Sequence, residues 1–292
     1  MNHPTAGDYG DLIANLAENK TLRPGWYPLA LFGEDASVGF HAGAYQHSAT
    51  GYVVIAFEGP SSATLIRAYV GWGLWGGASR IDKMLSEGVV PEPYERKVRS
   101  FVDSLKDRLG WERLSSRSGA IFMAGNSLGG YAAQIAASHF TRQGMRCGGA
   151  SFGGPGIPNF LPQNPGDFQS YVTYGDPVAN AASDTGIDWS QAATVWPGAA
   201  KFGAHYGEVV MIGDRGDHER LKSAIKTTTS TQVRYPLNLT IGQLYAAKWQ
   251  QLMRLHHYSH YLTLLPKSIP PGLSSDACPV GGYPVGADQR AD

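Results

Sequence analysis

Residues 121–137 constrain the fold of this chain more than any other segment, because their pattern changes abruptly at a serine between glycines. The segment is IFMAGNSLGGYAAQIAA, which predicts a buried strand, a sharp turn at Ser127 and an alanine-rich helix. A bare Gly-x-Ser-x-Gly match also fits an ordinary turn or a loop that cradles phosphate. The flanking strand and helix favour a nucleophile elbow, in which Gly125 and Gly129 let the two elements approach closely. We therefore predict that Ser127 is a nucleophile.

The residue after this serine has a predicted role through its backbone. The N–H group of Leu128 begins the predicted helix, where backbone donors lack partners within the helix and the helix dipole is positive. We expect this group to donate a hydrogen bond to the oxyanion that forms when the serine attacks a carbonyl.

The rest of the chain repeats short apolar runs that end in Gly, Pro or Asp. Residues 51–57 and 120–124 are two such runs, and apolar positions at helical spacing lie between them. Further runs lie at 149–152, 169–174 and 208–212. This alternation predicts an α/β fold with a mainly parallel sheet flanked by helices. Together with the predicted nucleophile elbow, it indicates a fold of the α/β-hydrolase type. Functional loops are expected at the carboxyl ends of its strands.

Length and composition predict how the chain is organised. A chain of 292 residues that is 42% hydrophobic can bury one large core, so residues 1–292 are predicted to form one domain. Within it, residues 1–25 are predicted to be an N-terminal extension of helix and turn. Residues 266–292 are rich in Pro and Gly, which predicts a tail that wraps the surface or is loosely ordered.

Charge and cysteine content argue against several partners. Lys+Arg and Asp+Glu both number 24 and no dense basic cluster occurs, so nucleic acid is not expected as a partner. Cys147 and Cys278 lie far apart, which allows one optional disulfide but no zinc framework. The sequence begins without a Sec-type signal pattern and has no apolar run of membrane-spanning length. The expected location is the cytoplasm, or outside the cell by a route without an N-terminal signal.

Several motifs of the chain resemble those of the class 3 lipases, closest to the bacterial branch of lipases and phospholipase A1-like proteins. Residues 26–59 resemble the family's approach to its Phe-Arg-Gly-Thr strand, and residues 125–130 resemble its Gly-His-Ser-Leu-Gly-Gly. Residues 151–156 resemble its next strand end and residues 174–178 its acid loop. The resemblance covers residues 26–262 and implies ester hydrolysis on an α/β-hydrolase fold without a cofactor.

An acid and a base are expected after the nucleophile, in the order Ser, Asp, His. Asp176 follows a strand pattern and is predicted to orient the histidine, with an Asp-Pro turn as the alternative. For the base, the resemblance favours the C-terminal histidine cluster. His256 fits the family's His-x-apolar-x-x-Tyr-Leu pattern without a gap, and His257 fits it with a one-residue shift. His205 resembles the start of a family strand instead. Zinc binding by His256 and His260 lacks a third ligand, so no metal is predicted.

The oxyanion loop departs from the family pattern. Where the family has Arg-Gly-Thr or Arg-Gly-Ser, this chain has Glu58-Gly59-Pro60-Ser61. The residue after that glycine normally lends a backbone N–H to the oxyanion hole, and proline has none. Either Ser61 takes this role by a one-residue shift, or the oxyanion hole is weaker than usual.

Aromatic residues in a glycine-rich segment bear on the substrate. Tyr69, Trp72 and Trp75 resemble a lid or pocket wall of class 3 lipases, and packing of these rings in the core is the alternative. Exposed rings there would suit a water-insoluble acyl chain and transient contact with a lipid interface. The sequence thus predicts a serine carboxylester hydrolase, a lipase or esterase acting on small or lipid-like esters. Another acyl hydrolase on the same fold (a phospholipase, thioesterase or polyester depolymerase) and a non-catalytic binding protein are the alternatives.

Overall fold

One mixed sheet forms the centre of the protein. The computed structural model describes residues 4–35, 40–59, 92–109, 121–144, 147–158, 168–190, 202–234, 251–252 and 254–265. In these residues seven strands pair in the order in which they occur along the chain. The strands are β1 (Trp26–Asp35), β2 (Phe40–His47), β3 (Val53–Phe57), β4 (Ile121–Asn126), β5 (Gly148–Phe152), β6 (Phe168–Thr173) and β7 (Glu208–Ile212). The helices are α1 (Ala6–Glu18), α2 (Glu92–Leu109), α3 (Leu128–Arg142), α4 (Arg215–Arg234) and α5 (Tyr258–Leu264), with a 3₁₀ turn at Ala179–Ala181.

Strand directions bring the loops after five strands to one edge of the sheet. β2 is antiparallel to both β1 and β3, whereas every pairing from β3 to β7 is parallel. At the carboxyl edge of the parallel part, Phe57 is level with Gly125, and Asn126 is level with Phe152. The predicted α/β fold with a mainly parallel sheet flanked by helices is confirmed, and its five apolar runs correspond to β3 through β7.

Side chains alternate between two apolar layers, one on each face of the sheet. In β3, Val53, Ile55 and Phe57 belong to the layer that contains α2, α3 and α4. Val54 and Ala56 belong to the opposite layer, which contains α1 and α5. All five residues are buried, which is why this strand is a continuous apolar run rather than an alternating one.

Helix α2 is the amphipathic helix predicted between two strands. Its buried side chains recur at helical spacing and are Tyr94, Val98, Val102 and Leu105. In the sequence, Gly110 follows this helix at the position where a glycine commonly caps a helix, and it lies outside the described residues. None of the helices in the described part of the chain has both the length and the apolar character needed to cross a membrane.

Helix α1 lies in the segment predicted as an N-terminal extension, and the structure packs it against the sheet. A capping box begins it: the Asp8 N–H donates to the Thr5 hydroxyl over 3.1 Å, and the Thr5 N–H donates to the Asp8 carboxylate over 2.8 Å. At Gly10 the helix meets α5 so closely that an added Cβ would lie 2.6 Å from a methyl group of Leu262. This contact fixes the position of α5, and with it the segment just before α5. The predicted tail, residues 266–292, lies outside the described residues.

Candidate active site

The turn between β4 and α3 has the backbone conformation of a nucleophile elbow. Ser127 stands at the N-terminus of α3 with φ 53° and ψ −123°, values that residues with a Cβ rarely adopt. Its N–H donates to the carbonyl of Phe152 over 2.9 Å, and its carbonyl accepts from the N–H of Tyr131 over 3.0 Å. These bonds tie the strained residue to β5 and to the first turn of α3, so the strain is held in place by its surroundings.

Two glycines give β4 and α3 the room to meet at this turn. A Cβ at Gly125 would lie 2.1 Å from the carbonyl oxygen of Gly129, and one at Gly129 would lie 2.3 Å from the carbonyl oxygen of Phe57. Both obstacles are backbone atoms, which cannot swing aside as the end of a side chain can. A larger residue at either position would therefore push the helix away from the strands.

We expect Gly125→Ala to lower the free energy of unfolding by about 3 kcal/mol, the upper end of the usual cost of overpacking, because the clash is with backbone. Urea unfolding followed by circular dichroism measures this loss. Gly216→Ala is the matched control: the nearest atoms to its added Cβ belong to the side chain of Asp214, the closest at 3.2 Å, and alanine favours the helix there. Equal stability of the two variants would contradict the close strand–helix contact.

The side chains of Ser127, His256 and Asp176 form one hydrogen-bonded chain. His256 Nε2 lies 2.7 Å from Ser127 Oγ, and His256 Nδ1 lies 2.9 Å and 3.0 Å from the two carboxylate oxygens of Asp176. A carboxylate only accepts, so Nδ1 carries the proton and Nε2 is free to accept the serine proton. All three residues are at least 95% buried, and water therefore screens these interactions little.

Backbone donors hold the Asp176 carboxylate in place. The N–H groups of Val178 and Ala179 donate to its Oδ1 over 2.8 Å and 3.2 Å. The Asn180 amide donates to the carbonyls of Thr173 and Asp176, which closes the turn that follows β6. The Asp-Pro turn proposed as an alternative from the sequence is thus present, and it is the structure that aims the carboxylate at the histidine.

Tyr261 is a further partner of Asp176 to which the sequence assigned no role. Its hydroxyl donates a hydrogen bond to Asp176 Oδ2 and accepts one from the Thr173 N–H over 3.2 Å. Burial and the neighbouring Asp176 charge raise the pKa of Tyr261 well above its usual range, so the hydroxyl remains a donor. The sequence feature that could have indicated this role is the motif itself, because Tyr261 is the tyrosine of the His-x-apolar-x-x-Tyr-Leu pattern that contains His256.

We expect Tyr261→Phe to lower kcat about tenfold, the effect of losing a hydrogen bond to a charged group worth about 1.4 kcal/mol. The reason is that the carboxylate then holds the histidine less firmly. Initial rates on a soluble ester measure the effect. Tyr27→Phe, which removes a hydroxyl on an exposed tyrosine bonded to Gln46, serves as the control and should change kcat by less than about twofold. Equal rates for both variants would contradict a role for the Tyr261 hydroxyl.

His257 lies apart from this chain of contacts. It is exposed and caps the N-terminus of α5, where its side chain accepts from the Ser259 N–H. The structure thus brings His256 and not His257 to Ser127. His205 is buried elsewhere, against Asp184.

Of the two predicted oxyanion donors, Leu128 is among the described residues and Ser61 is not. Leu128 begins α3 directly after Ser127, so its N–H is at the positive end of the helix. Gly59 lies against the elbow, because an added Cβ there would be 2.9 Å from Ser127 Cβ. Glu58 pairs with His41 over 2.6 Å. Pro60, Ser61, Tyr69, Trp72 and Trp75 lie outside the described residues.

The optional disulfide and the possible metal site concern Cys147, Cys278 and groups of His, Cys, Asp and Glu side chains. The Cys147 thiol is buried, donates to the carbonyl of Ala137 over 3.6 Å, and burial raises its pKa to about 12. Cys278 lies outside the described residues. In the described ranges no three His, Cys, Asp or Glu side chains are grouped so that they would hold a metal ion.

The sheet order, the elbow and the placement of the three side chains at the carboxyl edge decide the fold family. The chain has an α/β-hydrolase fold. Neither a protein-family model nor a curated protein sequence matches the chain.

Solved structures with a similar arrangement include fungal proteins. The Lip2 lipase from Yarrowia lipolytica is 11% identical, with a TM-score of 0.41 over 64% of this chain and 77% of that chain. The lipase from Rhizopus microsporus var. chinensis is 12% identical, with a TM-score of 0.39 over 60% and 67%. A mutant form of MDLA from Penicillium cyclopium is 13% identical, with a TM-score of 0.43 over 71% and 76%. Because these scores are low, the fold is assigned from the sheet and the elbow themselves.

Proposed function

We propose that this protein is a serine carboxylester hydrolase. The observation that carries the proposal is the 2.7 Å contact between His256 Nε2 and Ser127 Oγ, with the other ring nitrogen bound to Asp176. A serine hydroxyl is a weak nucleophile, and a neutral imidazole in this tautomer makes it reactive by accepting its proton.

The mechanism follows from these three side chains. Ser127 Oγ attacks the ester carbonyl while His256 Nε2 takes its proton, and the Asp176 carboxylate stabilises the resulting imidazolium. The Leu128 N–H, with a second donor near Ser61, holds the oxyanion of the tetrahedral intermediate. His256 then returns the proton to the leaving alcohol, and water hydrolyses the acyl-enzyme by the same steps. The reaction needs no cofactor.

We propose lipid-like esters as the substrates. The class 3 lipase resemblance of residues 26–262 supports this class, within it the bacterial lipase and phospholipase A1-like branch. The aromatic residues Tyr69, Trp72 and Trp75 support transient contact of the enzyme with a lipid interface.

A non-catalytic binding protein is the second candidate, and the proline at position 60 is the feature that favours it. The complete hydrogen-bonded chain from Ser127 to Asp176 favours the enzyme, since a binding protein gains nothing from a strained serine backed by a buried His–Asp pair.

A fluorophosphonate probe separates the two candidates, because it reacts only with an activated serine. We expect stoichiometric labelling of the native protein and, after digestion, a mass shift confined to the peptide that contains Ser127. Heat-denatured protein is the control and should remain unlabelled. Absence of labelling in the native protein would exclude the enzyme.

Substrate class is tested by rates on p-nitrophenyl esters from acetate to palmitate, beside a triglyceride emulsion and phospholipid vesicles. We expect higher kcat/KM on the longer acyl esters and hydrolysis of at least one of the two lipids. Activity on acetate alone would exclude a lipase and leave an esterase for small substrates.

A further inference from the structure

A second histidine–carboxylate pair, in which the histidine is buried and the carboxylate is partly exposed, joins the segment before β7 to the turn after β6. His205 precedes β7, and its ring Nδ1 lies 2.8 Å from Asp184 Oδ1. The His205 backbone N–H also donates to Asp184 Oδ2 over 2.8 Å, so both carboxylate oxygens are used by one residue. On the other side of the ring, Nε2 lies 3.1 Å from the carbonyl oxygen of Gly154. The His205 side chain is fully buried.

The hydrogen bonds of this ring determine its protonation state. A carboxylate and a backbone carbonyl can only accept hydrogen bonds, and a neutral imidazole has a single N–H to donate. Both contacts are satisfied only when both nitrogens carry a proton, that is, when His205 is an imidazolium cation. Burial alone would raise the pKa of Asp184, but the hydrogen bonds and the charge of His205 lower it below its usual range.

Gly154 connects this pair to the candidate active site. It packs so tightly on the first turn of α3 that a Cβ added to Gly130 would lie 3.1 Å from Gly154 Cα. The adjacent Gly153 packs on the Tyr261 ring, where an added Cβ would lie 3.0 Å from ring atoms. The loop after β5 therefore contacts both the helix that begins at Ser127 and the tyrosine that binds Asp176.

Charged side chains lie farther along the same loop, where Glu95, Arg99, His139 and Arg142 line a cavity with Ile157 and Pro158. The polar groups that bond to the chain beside His205 and Gly154 are uncharged. The Gln134 amide donates to the carbonyl of Pro155 over 2.9 Å, and its oxygen accepts from the Tyr206 N–H over 2.8 Å. The Tyr206 hydroxyl bonds to Thr141, and burial raises its pKa to about 12. Among the described contacts of His205, Asp184 is therefore the one charged partner.

We propose that His205 is held as an imidazolium cation by Asp184 and the Gly154 carbonyl, and that this cation is a positioning residue for the nucleophile helix. The cation holds the loop after β5 against α3, and so keeps the Leu128 N–H and Ser127 in register with His256. A neutral His205 must release one of its two acceptors. Release of Gly154 would leave a buried carbonyl without a donor and loosen the contact with Gly130.

The protonation state is tested by nuclear magnetic resonance of the full-length protein labelled with ¹⁵N-histidine. The ring nitrogens of His205 are assigned in the wild-type protein itself, through correlations to the assigned His205 backbone. We expect both of its nitrogens to resonate as protonated at pH 8, and we expect Asp184→Asn to convert the ring to a single neutral tautomer. The wild-type spectrum decides by itself even if a variant fails to fold. A His205 ring with one unprotonated nitrogen in the folded wild type would overturn the proposal.

The positioning role rests on the proposed function and has its own measurement. We expect Asp184→Asn to lower kcat roughly tenfold, with KM for a soluble ester changed by less than about twofold, because a small misplacement affects the reaction more than binding. Asp103→Asn removes the carboxylate of a partly exposed surface pair with His139 and should leave kcat unchanged. An unchanged kcat in folded Asp184→Asn would overturn the positioning role. If the wild type hydrolyses no ester, the proposed function fails, while the spectrum still decides the charge of His205.

Discussion

Ser127→Ala is expected to lower kcat/KM for p-nitrophenyl butyrate by roughly 10⁴-fold or more. The change removes the oxygen that forms the acyl-enzyme but leaves the oxyanion donors and the histidine in place. The remaining rate would come from water attacking an ester that the site still binds. Initial rates at saturating and limiting ester concentration measure the loss, and labelling by the fluorophosphonate probe should disappear with it.

The control for this variant is Ser104→Ala. Ser104 lies on α2, where its hydroxyl donates to the carbonyl of Phe101, so its loss should leave the rate within about twofold. We expect Ser127→Ala to keep the wild-type melting temperature, because alanine has the same Cβ as serine at φ 53° and can form the same elbow. A folded Ser127→Ala that keeps more than about a tenth of the wild-type rate would place the nucleophile elsewhere.

Most of the fold could be predicted from local patterns in the sequence. The apolar runs predicted β3 to β7, since parallel strands buried on both faces are continuously apolar. The elbow could also be predicted from the sequence, because the close contact between strand and helix requires glycine at positions 125 and 129, next to Ser127 in the chain. Helix α1 gave a weaker signal, and the sequence did not indicate that it packs on the sheet beside α5.

Local sequence patterns do not predict contacts between segments that lie far apart in the chain. His256 lies 129 residues from Ser127 along the chain, and its position depends on how α5 packs on α1. Sequence periodicity does not encode that packing, so a one-residue shift between His256 and His257 could not be resolved. The bond between His205 and Asp184 was missed for the same reason, because it joins the segment before β7 to the turn after β6.

The variants His256→Asn and His257→Asn are expected to show which of the two histidines is the base, because only one of them should lose most of its kcat. His256→Asn should lower kcat by roughly 10⁴-fold, because an amide cannot accept the serine proton and deliver it to the leaving alcohol. His257→Asn should stay within about twofold, because asparagine is as good an N-cap as the ring that now accepts from the Ser259 N–H. Rates on one soluble ester at one pH measure both variants side by side.

The two variants distinguish loss of the base from a general structural disturbance, because the substitutions are chemically identical and adjacent. A general disturbance of the start of α5 would affect both variants, and the melting temperatures would fall together. Loss of a proton acceptor affects only the residue whose Nε2 faces Ser127 Oγ. If His257→Asn loses the larger share of the rate while both variants remain folded, the histidine that serves Ser127 in solution is His257. The segment before α5 would then have to shift by one residue, which would bring Tyr261 away from Asp176 and remove the effect expected for Tyr261→Phe.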